Sequence, residues 1–307
     1  MFHPSDQDTP LSEEEFRLLR DFIHERFGIF FEDNQRASLR SRLVGRLASL
    51  DLVSFEEYYQ YLRFGPQRAD ELRRMVSHLT NNETYFYREA PQLQVFAEHI
   101  LRQIKERKAA GGSRTLRILS AGCSSGEEAH TIAMIVYDSG QFFWNWDVQI
   151  TGMDVDQAAL EKARRGVYFH NSFRSLSPAI VERHFVKQPP GSAVKEQIRR
   201  MVRLRHGNIV DPASYEGLAG LDAIFCRNVL IYFSDAMILK AVRLFHQSLA
   251  PGGFLFLGHA ESLSRITDLL TPIRFQGAMV YQKAPAPAAP ARRPGAPPGG
   301  PSMGDGR

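Results

Sequence analysis

Residues 116–130, LRILSAGCSSGEEAH, constrain the fold more than any other stretch of this chain. The apolar first half predicts a buried strand, Gly122 and Gly126 predict a tight turn, and an amphipathic helix is expected to begin at Glu127. A strand, a glycine turn and a helix N-terminus open a nucleotide-binding βαβ unit, because small residues let backbone N–H groups approach a ligand. The adjacent acids Glu127 and Glu128 would repel a pyrophosphate. They suit a ligand that carries a positive charge and sugar hydroxyls.

After this motif, strands and helices alternate, which favours an α/β fold with a mostly parallel sheet covered on both faces. The predicted elements are 116–120, 127–138, 148–153, 156–165, 222–226, 235–249 and 253–258, and 274–283 should add a last, antiparallel strand. Residues 170–205 interrupt the alternation and contain a Pro-Pro-Gly turn, so a small inserted β-subdomain is expected there.

The apolar spacing and capping residues in 11–80 predict only helices. Ser12 and Glu15 form a capping box at the first helix, and Gly28 is expected to end it. The later helices are expected to begin near Asp33, after Ser54 and at Pro66, and a long helix is expected from 88 to 108.

These patterns divide the chain into five parts. They are a disordered N-terminus (1–10), a helical N-terminal domain (11–87), a linker helix (88–112), a Rossmann-like catalytic domain (113–283) and a disordered Pro/Ala/Gly-rich tail (284–307).

Composition narrows the class of protein. The chain has 307 residues and a net charge of +4, and its only cysteines, Cys123 and Cys226, argue against a disulfide framework. The N-terminus lacks a secretion signal pattern, and no apolar run approaches the roughly 18 residues of a membrane span. We therefore expect a soluble cytoplasmic protein without direct membrane insertion.

Polar side chains follow three predicted strands of the α/β domain, where an open sheet binds its ligand. Glu128 lies in the glycine loop, Asp154 ends the second strand, and Arg227 and Asn228 follow the strand LDAIFC. An acid after the second strand can accept hydrogen bonds from ribose hydroxyls, as it does in NAD enzymes. The LAPGG turn before the fifth strand favours a methyltransferase over a dehydrogenase.

Four motifs in order resemble the CheR family of chemotaxis receptor methyltransferases. They are LTNNETYFYRE (79–89), AGCSSGEEAHTIAM (121–134), GMDVDQAALEKARRGVY (152–168) and LDAIFCRNVLIYF (221–233). The resemblance runs from about Leu11 to Lys283. Without it, the first motif could be a helix-to-helix turn capped by Asn81 and Asn82.

The resemblance implies transfer of a methyl group from S-adenosylmethionine to glutamate side chains of chemoreceptors, which leaves S-adenosylhomocysteine. It also implies the site residues. Glu128 would face the amino-acid portion of the cofactor and Asp154 its ribose, while Tyr232 would flank the methyl group. The remaining cofactor-binding residues implied are Asn82, Thr84, Arg88, Asn208, Ile209, Arg227 and Asn228. No metal is expected.

Methylation of a glutamate side chain needs no general base, because its carboxyl group (pKa about 4.3) is already ionised at pH 7. The enzyme must align the carboxylate and remove its water. Arg88 is our candidate to hold that carboxylate by a charge-assisted hydrogen bond. Arg88 and Tyr232 are therefore the predicted catalytic residues.

An acid-free stretch between Asp33 and Asp51 carries four arginines. Its helix either lays these side chains over a core-facing surface, or docks Glu-rich receptor helices through Arg42 and Arg46. The family implicates this helix in substrate recognition.

The inserted segment is compact, with a Pro-Pro-Gly turn where family members that tether to a receptor peptide have a longer glycine-containing loop. We therefore expect a tether-independent, monomeric enzyme that acts on the cytoplasmic helical domain of transmembrane receptors. The alternatives are the same chemistry in a non-chemotaxis signalling array and a non-catalytic cofactor-binding adaptor. Nucleic acid is not an expected partner, because one basic helix is too small a surface.

Overall fold

A computed structural model of the chain describes residues 9–286. They form a helical part packed against the edge of an α/β part. The expected disorder of 1–10 and 284–307 falls almost wholly outside the described residues. Within them, no helix is both long and apolar enough to cross a membrane.

Four helices build the first part: α1 (Glu13–Phe27), α2 (Arg36–Ala48), α3 (Phe55–Phe64) and α4 (Arg68–Leu79). The capping box of Ser12 and Glu15 is present, and Gly28 ends α1 in the left-handed conformation, as predicted. A single 3₁₀ turn at Asp33–Gln35 precedes α2, and α4 starts two residues after Pro66.

The expected helix 88–108 begins at Ala90 and has three pieces: α5 (Ala90–Val95), a π-helical turn (Phe96–Ile100) and α6 (Leu101–Ala110). Phe96 and Ile100 both lie in the core, as the i, i+4 spacing of an apolar helix face predicts. The π-helical hydrogen bonding over these residues was not predicted from the sequence.

The α/β part alternates as expected. Its helices are α7 (Glu127–Asp138), α8 (Gln157–Arg165), α9 (Pro178–His184), α10 (Glu196–Arg199) and α11 (Asp235–Ser248). Its strands are β1 (Thr115–Ala121), β2 (Asp147–Asp154), β3 (Val167–Tyr168), β4 (Phe185–Gln188), β5 (Gly191–Val194), β6 (Val202–His206), β7 (Leu221–Cys226), β8 (Leu249–Leu257), β9 (Thr271–Phe275) and β10 (Ala278–Gln282).

The main sheet has the order β6-β2-β1-β7-β8-β10-β9. The strands from β6 to β8 pair in parallel, whereas β10 pairs antiparallel with both neighbours. Neighbouring residues of one strand enter cores on opposite faces: Ile118 packs in one cluster and Leu119 in the other. Burial on both faces explains why these strands are apolar throughout.

Three boundaries differ from the sequence prediction. Residues 202–206, expected inside the inserted subdomain, form β6 and pair with β2 in the main sheet. The subdomain sheet is β3-β5-β4 and already begins at Val167. Residues 274–283 belong to a hairpin, because Thr271–Phe275 adds a second strand beside Ala278–Gln282.

Arg46 lies inside the helical part. It is 8% exposed, and its Nε and Nη2 donate to the Glu71 carboxylate at 2.9 and 2.6 Å, while the Tyr58 hydroxyl donates to the same carboxylate at 2.7 Å. The guanidinium of Arg46 is thus engaged in a buried ion pair between α2 and α4, which argues against a docking role for it.

Arg42 also has a structural partner. Its Nη1 donates to the carbonyls of His78 and Leu79 at 3.2 and 2.7 Å, which satisfies the last turn of α4. The side chain is half-buried rather than projecting into solvent. A docking role for Arg42 stays a prediction.

Asp156 joins the two parts. Its buried carboxylate caps α8 through the N–H groups of Ala158 and Ala159, and it also accepts from the Ser77 hydroxyl of α4 at 2.6 Å. The Asn82 amide donates to the same carboxylate at 2.7 Å. One side chain thus fixes the end of α4 and the segment after it against the sheet.

We expect Arg46→Met to lower the unfolding free energy by about 3–5 kcal/mol, because the Glu71 carboxylate would stay buried without its cation. Urea unfolding followed by circular dichroism measures the loss. Arg36→Met, at an exposed position of the same helix, is the control and should change stability by less than about 0.5 kcal/mol. Equal effects of the two substitutions would contradict the assignment of a buried pair.

Candidate active site

A cleft opens where the carboxyl ends of β1, β2 and β7 meet the helical part and the segment after α4. It encloses about 1060 Å³ of space, which includes open solvent at its mouth. Every residue predicted to be catalytic or cofactor-binding lines it: Asn82, Thr84, Arg88, Glu128, Asp154, Asn208, Ile209, Arg227, Asn228 and Tyr232. Arg42 and Arg46 do not.

Asp154 ends β2 at the floor of the cleft. Its two oxygens accept the backbone N–H groups of Ser124, at 2.7 Å, and Asp156, at 2.8 Å. Burial raises the pKa of Asp154 to about 6, and the two N–H groups oppose that rise. The carboxylate is ionised at pH 7 and its orientation is fixed, so it can accept further hydrogen bonds from hydroxyl groups.

Glu128 lies in the first turn of α7, after the left-handed Gly126. Ser120 donates its hydroxyl to Oε1 of Glu128 at 2.7 Å, and Nη1 of Arg227 lies 3.4 Å from Oε2. Burial raises the pKa of Glu128, and the charge of Arg227 counteracts this. Glu128 lies where the N-terminus of α7 favours a negative charge.

Arg227 is buried behind the cleft. Besides Glu128, its guanidinium contacts the Glu89 carboxylate at 3.3 Å and donates to the Arg88 carbonyl. It therefore links the end of β7 to the segment that carries Arg88. Its charge is matched inside the protein, which makes it a support of the site as much as part of the lining.

Asn228 adopts the left-handed conformation, with φ of 59°. Its Nδ2 donates to Glu89 at 3.1 Å, whereas its buried Oδ1 has no hydrogen-bond partner among the described residues. Because an unsatisfied buried acceptor costs free energy, Oδ1 of Asn228 can accept a hydrogen bond from a group bound in the cleft.

Arg88 is held between two residues with left-handed backbones, Tyr87 and Glu89, with φ of 57° and 56°. Its Nη1 donates to the Glu83 carbonyl at 2.9 Å, and its guanidinium lies 5.8 Å from the Tyr85 ring centre. Non-glycine residues reach this conformation at a cost, and such strain clusters at functional sites. Among residues 9–286, no partner occupies the remaining N–H groups of Arg88, so they can bind an anion at the cleft.

Phe86 anchors this segment on the inserted subdomain. Its ring contacts Tyr168, Phe173 and Phe185, and its N–H donates to the Ser172 carbonyl at 3.0 Å. The alternative in which 79–89 is a plain turn between helices leaves this packing unexplained.

The opposite wall comes from the loops after β6 and β7. The Asn208 side chain donates to the Arg26 carbonyl at 2.9 Å, so it connects α1 to the cleft, and Ile209 supplies an apolar surface. Tyr232 is 37% exposed, and its backbone carbonyl accepts the Phe30 N–H at 2.8 Å. Its hydroxyl makes no hydrogen bond within the described residues, so it is available to a bound group.

Sequence reasoning missed three acids that shape the site. Glu89 is the last residue of the motif LTNNETYFYRE, and the sequence predicted no role for it. Its carboxylate binds Arg227, Asn228 and His259. Asp156 could have been found as a helix cap. Glu261 gave no signal, because three of its four partners are backbone N–H groups about 30 residues away in the sequence.

Comparison with known proteins agrees with this arrangement. Residues 82–278 match the model of the CheR methyltransferase S-adenosylmethionine-binding domain, and residues 14–80 match the CheR all-alpha domain. The chain belongs to the CheR methyltransferase family. The predicted family, fold class and S-adenosylmethionine-dependent enzyme class are thereby confirmed.

CheR-family relatives are similar over most of the chain. "Chemotaxis protein methyltransferase 2" of Vibrio cholerae is 35% identical, over 89% of this chain and 94% of that protein. The "Chemotaxis protein methyltransferase" of Escherichia coli is 36% identical, over 88% and 91%. The "Probable biofilm formation methyltransferase WspC" of Pseudomonas aeruginosa is 32% identical over 87% of this chain and 60% of its own length.

The lining of the cleft is compatible with S-adenosylmethionine. The carboxylates of Glu128 and Asp154 suit its cationic and hydroxyl groups, and Oδ1 of Asn228 can accept one of its N–H or O–H groups.

We expect the affinity for S-adenosylhomocysteine to fall about tenfold between pH 7 and pH 5, because Asp154, with a pKa of about 6, becomes protonated over that range. Calorimetric titration at each pH measures it. Asp154→Asn should bind more weakly at pH 7 and lose most of the pH dependence. A steep dependence that persists in this variant would point to another group.

Proposed function

We propose that this protein transfers the methyl group of S-adenosylmethionine to glutamate side chains in the cytoplasmic helical domain of chemoreceptors. The observation that carries the proposal is a single cleft with acids on one side and Arg88 on the other. The acids suit a cationic cofactor, and the arginine suits an anionic acceptor. Similarity to relatives named chemotaxis protein methyltransferase supports the choice of acceptor.

On the cofactor side, we assign Glu128 to the ammonium of the amino-acid portion and Asp154 to the ribose hydroxyls. The charge of Glu128 and the fixed orientation of Asp154 support these roles. Asn82 and Thr84 would close the cofactor from the helical part, while Asn208 and Ile209 flank its adenosyl portion.

When bound, the cofactor supplies an electrophilic methyl group on a positively charged sulfur. Arg88 orients the acceptor carboxylate towards it, and no proton has to be moved because glutamate is ionised at neutral pH. Apolar residues of the cleft, among them Phe27, Leu79 and Phe233, exclude water from that carboxylate. Orientation and dehydration are the contributions that the protein makes to the rate.

Arg88 must hold the acceptor without immobilising it as a tight ion pair, because equal stabilisation of ground and transition states gains nothing. Its contact with the Tyr85 ring and its bond to the Glu83 carbonyl fix the guanidinium. Tyr232 would flank the methyl group, where its free hydroxyl can stabilise the transferring group.

Receptors of a biofilm signalling array are a second candidate acceptor, because the relative named as a biofilm formation methyltransferase is 32% identical to this chain. The chemistry would be the same, and only the signalling array would differ. We favour chemoreceptors because several relatives at 34–36% identity carry the chemotaxis name.

The test is incubation with S-adenosylmethionine labelled in its methyl group and cytoplasmic fragments of receptors from both classes. Label released by mild base and mapped to glutamate supports the proposal, and the preferred fragment identifies the array. Cofactor binding without transfer to any fragment would favour the non-catalytic adaptor.

We expect Arg88→Ala to lower kcat/KM for the receptor about 100-fold, because a charge-assisted contact that orients the acceptor is lost. Tyr232→Phe should cost less than about tenfold. Receptor methylation under initial-rate conditions measures both.

The affinity for S-adenosylhomocysteine separates the two roles predicted for Arg88. Unchanged affinity in Arg88→Ala assigns it to the acceptor, and a matching loss assigns it to the cofactor. Near-normal turnover of the variant would contradict both.

A further inference from the structure

Glu261 is a buried acid that contacts the backbone of the segment carrying Asn228 and Tyr232. It lies in the loop after β8, is 7% exposed and does not line the cleft. Its Oε2 accepts the N–H groups of Gly258 and Asn228, at 2.6 and 2.9 Å. Its Oε1 accepts those of Val229 and Ile231, at 2.9 and 3.2 Å.

Three of these four donors belong to one loop, residues 227–233, which carries Asn228 and Tyr232 into the cleft. Successive N–H groups that converge on one point form a concavity suited to an anion, and Glu261 supplies that anion from within the chain. Without it, the N–H groups of Asn228, Val229 and Ile231 would lose this acceptor. The carboxylate therefore determines the conformation of the loop, including the left-handed backbone of Asn228.

We propose that Glu261 is a positioning residue for methyl transfer, which acts by holding the 227–233 loop so that Asn228 faces the cofactor and Tyr232 the reacting methyl group. This inference rests on the proposed function for the role of Tyr232. The part that concerns Asn228 needs only cofactor binding.

The surroundings of Glu261 leave it little freedom. A Cβ placed on Gly258 would lie 2.8 Å from both Oε2 of Glu261 and Nδ2 of Asn228. The strand end, the carboxylate and the Asn228 side chain are thus in contact at one point. A displacement of the carboxylate is transmitted directly to the cleft.

Glu261→Gln tests the proposal, since it keeps the shape and replaces one oxygen by an amino group that faces N–H donors. We expect amide hydrogen exchange in residues 226–233 to accelerate about tenfold or more, and the affinity for S-adenosylhomocysteine to fall. With a receptor fragment, kcat should fall 10- to 100-fold while KM for the receptor changes little. In a Tyr232→Phe background the additional loss of kcat should be smaller, because the two residues act on one group.

Glu71→Gln is the matched control: a buried carboxylate in the helical part that accepts from Arg46 and Tyr58. It should lower stability without changing exchange in 226–233 or the cofactor affinity. Glu261→Asp is a second variant, which keeps the charge but shortens the side chain, and it should give the same effects if Glu261→Gln does not fold.

Unchanged loop exchange and cofactor affinity in folded Glu261→Gln would overturn the proposal, as would faster exchange with wild-type kcat. If the wild-type protein binds S-adenosylhomocysteine but methylates no receptor fragment, the proposed function fails. Glu261 is then judged on exchange and affinity alone, where normal values for the variant would still refute its role.

Discussion

The cleft depends on one buried cation shared by two carboxylates. The Arg227 side chain is 2% exposed and lies against Glu89 and Glu128, which come from segments far apart in the chain. Burial alone would raise the pKa of Glu89, yet bonds from His259 and Asn228 and the charge of Arg227 bring it below its usual value. The guanidinium of Arg227 balances the charges of Glu89 and Glu128 where they are largely shielded from water. Its bond to the Arg88 carbonyl also orients the segment with left-handed backbones at Tyr87 and Glu89.

Charge therefore divides the site into two sides. Acids dominate where the sheet ends, whereas Arg88 lies on the segment that leads from the helical part. Asp156 holds these sides together, because it caps α8 and binds Ser77 and Asn82 with the same carboxylate. The helical part thus contributes to the site through the segment that it positions, in addition to any contact with a receptor.

Much of this arrangement was predictable from the sequence. Parallel strands end at the same edge, so Glu128, Asp154 and Asn228 had to be close together once the alternation was recognised. The segment 79–89 needed the family resemblance, since its contacts are tertiary. Arg46 shows the limit: the sequence allowed its side chain to lie over a core-facing surface, but the partner Glu71 lies on another helix. Strand β6 was assigned to the insert because a short edge strand with alternating arginines has little apolar signal.

The close approach of Gly122 to Val229 limits how this site can vary. Gly122 has φ of 79°, and a Cβ there would lie 2.5 Å from Cγ2 of Val229. The glycine loop that begins the nucleotide-binding unit and the loop that carries Asn228 therefore touch without space for a methyl group. A larger residue at 122 would require both a smaller one at 229 and relief from the left-handed backbone. The two positions form a linked pair, so a library that randomises the cofactor loop for altered cofactors should keep Gly122 or vary Val229 with it.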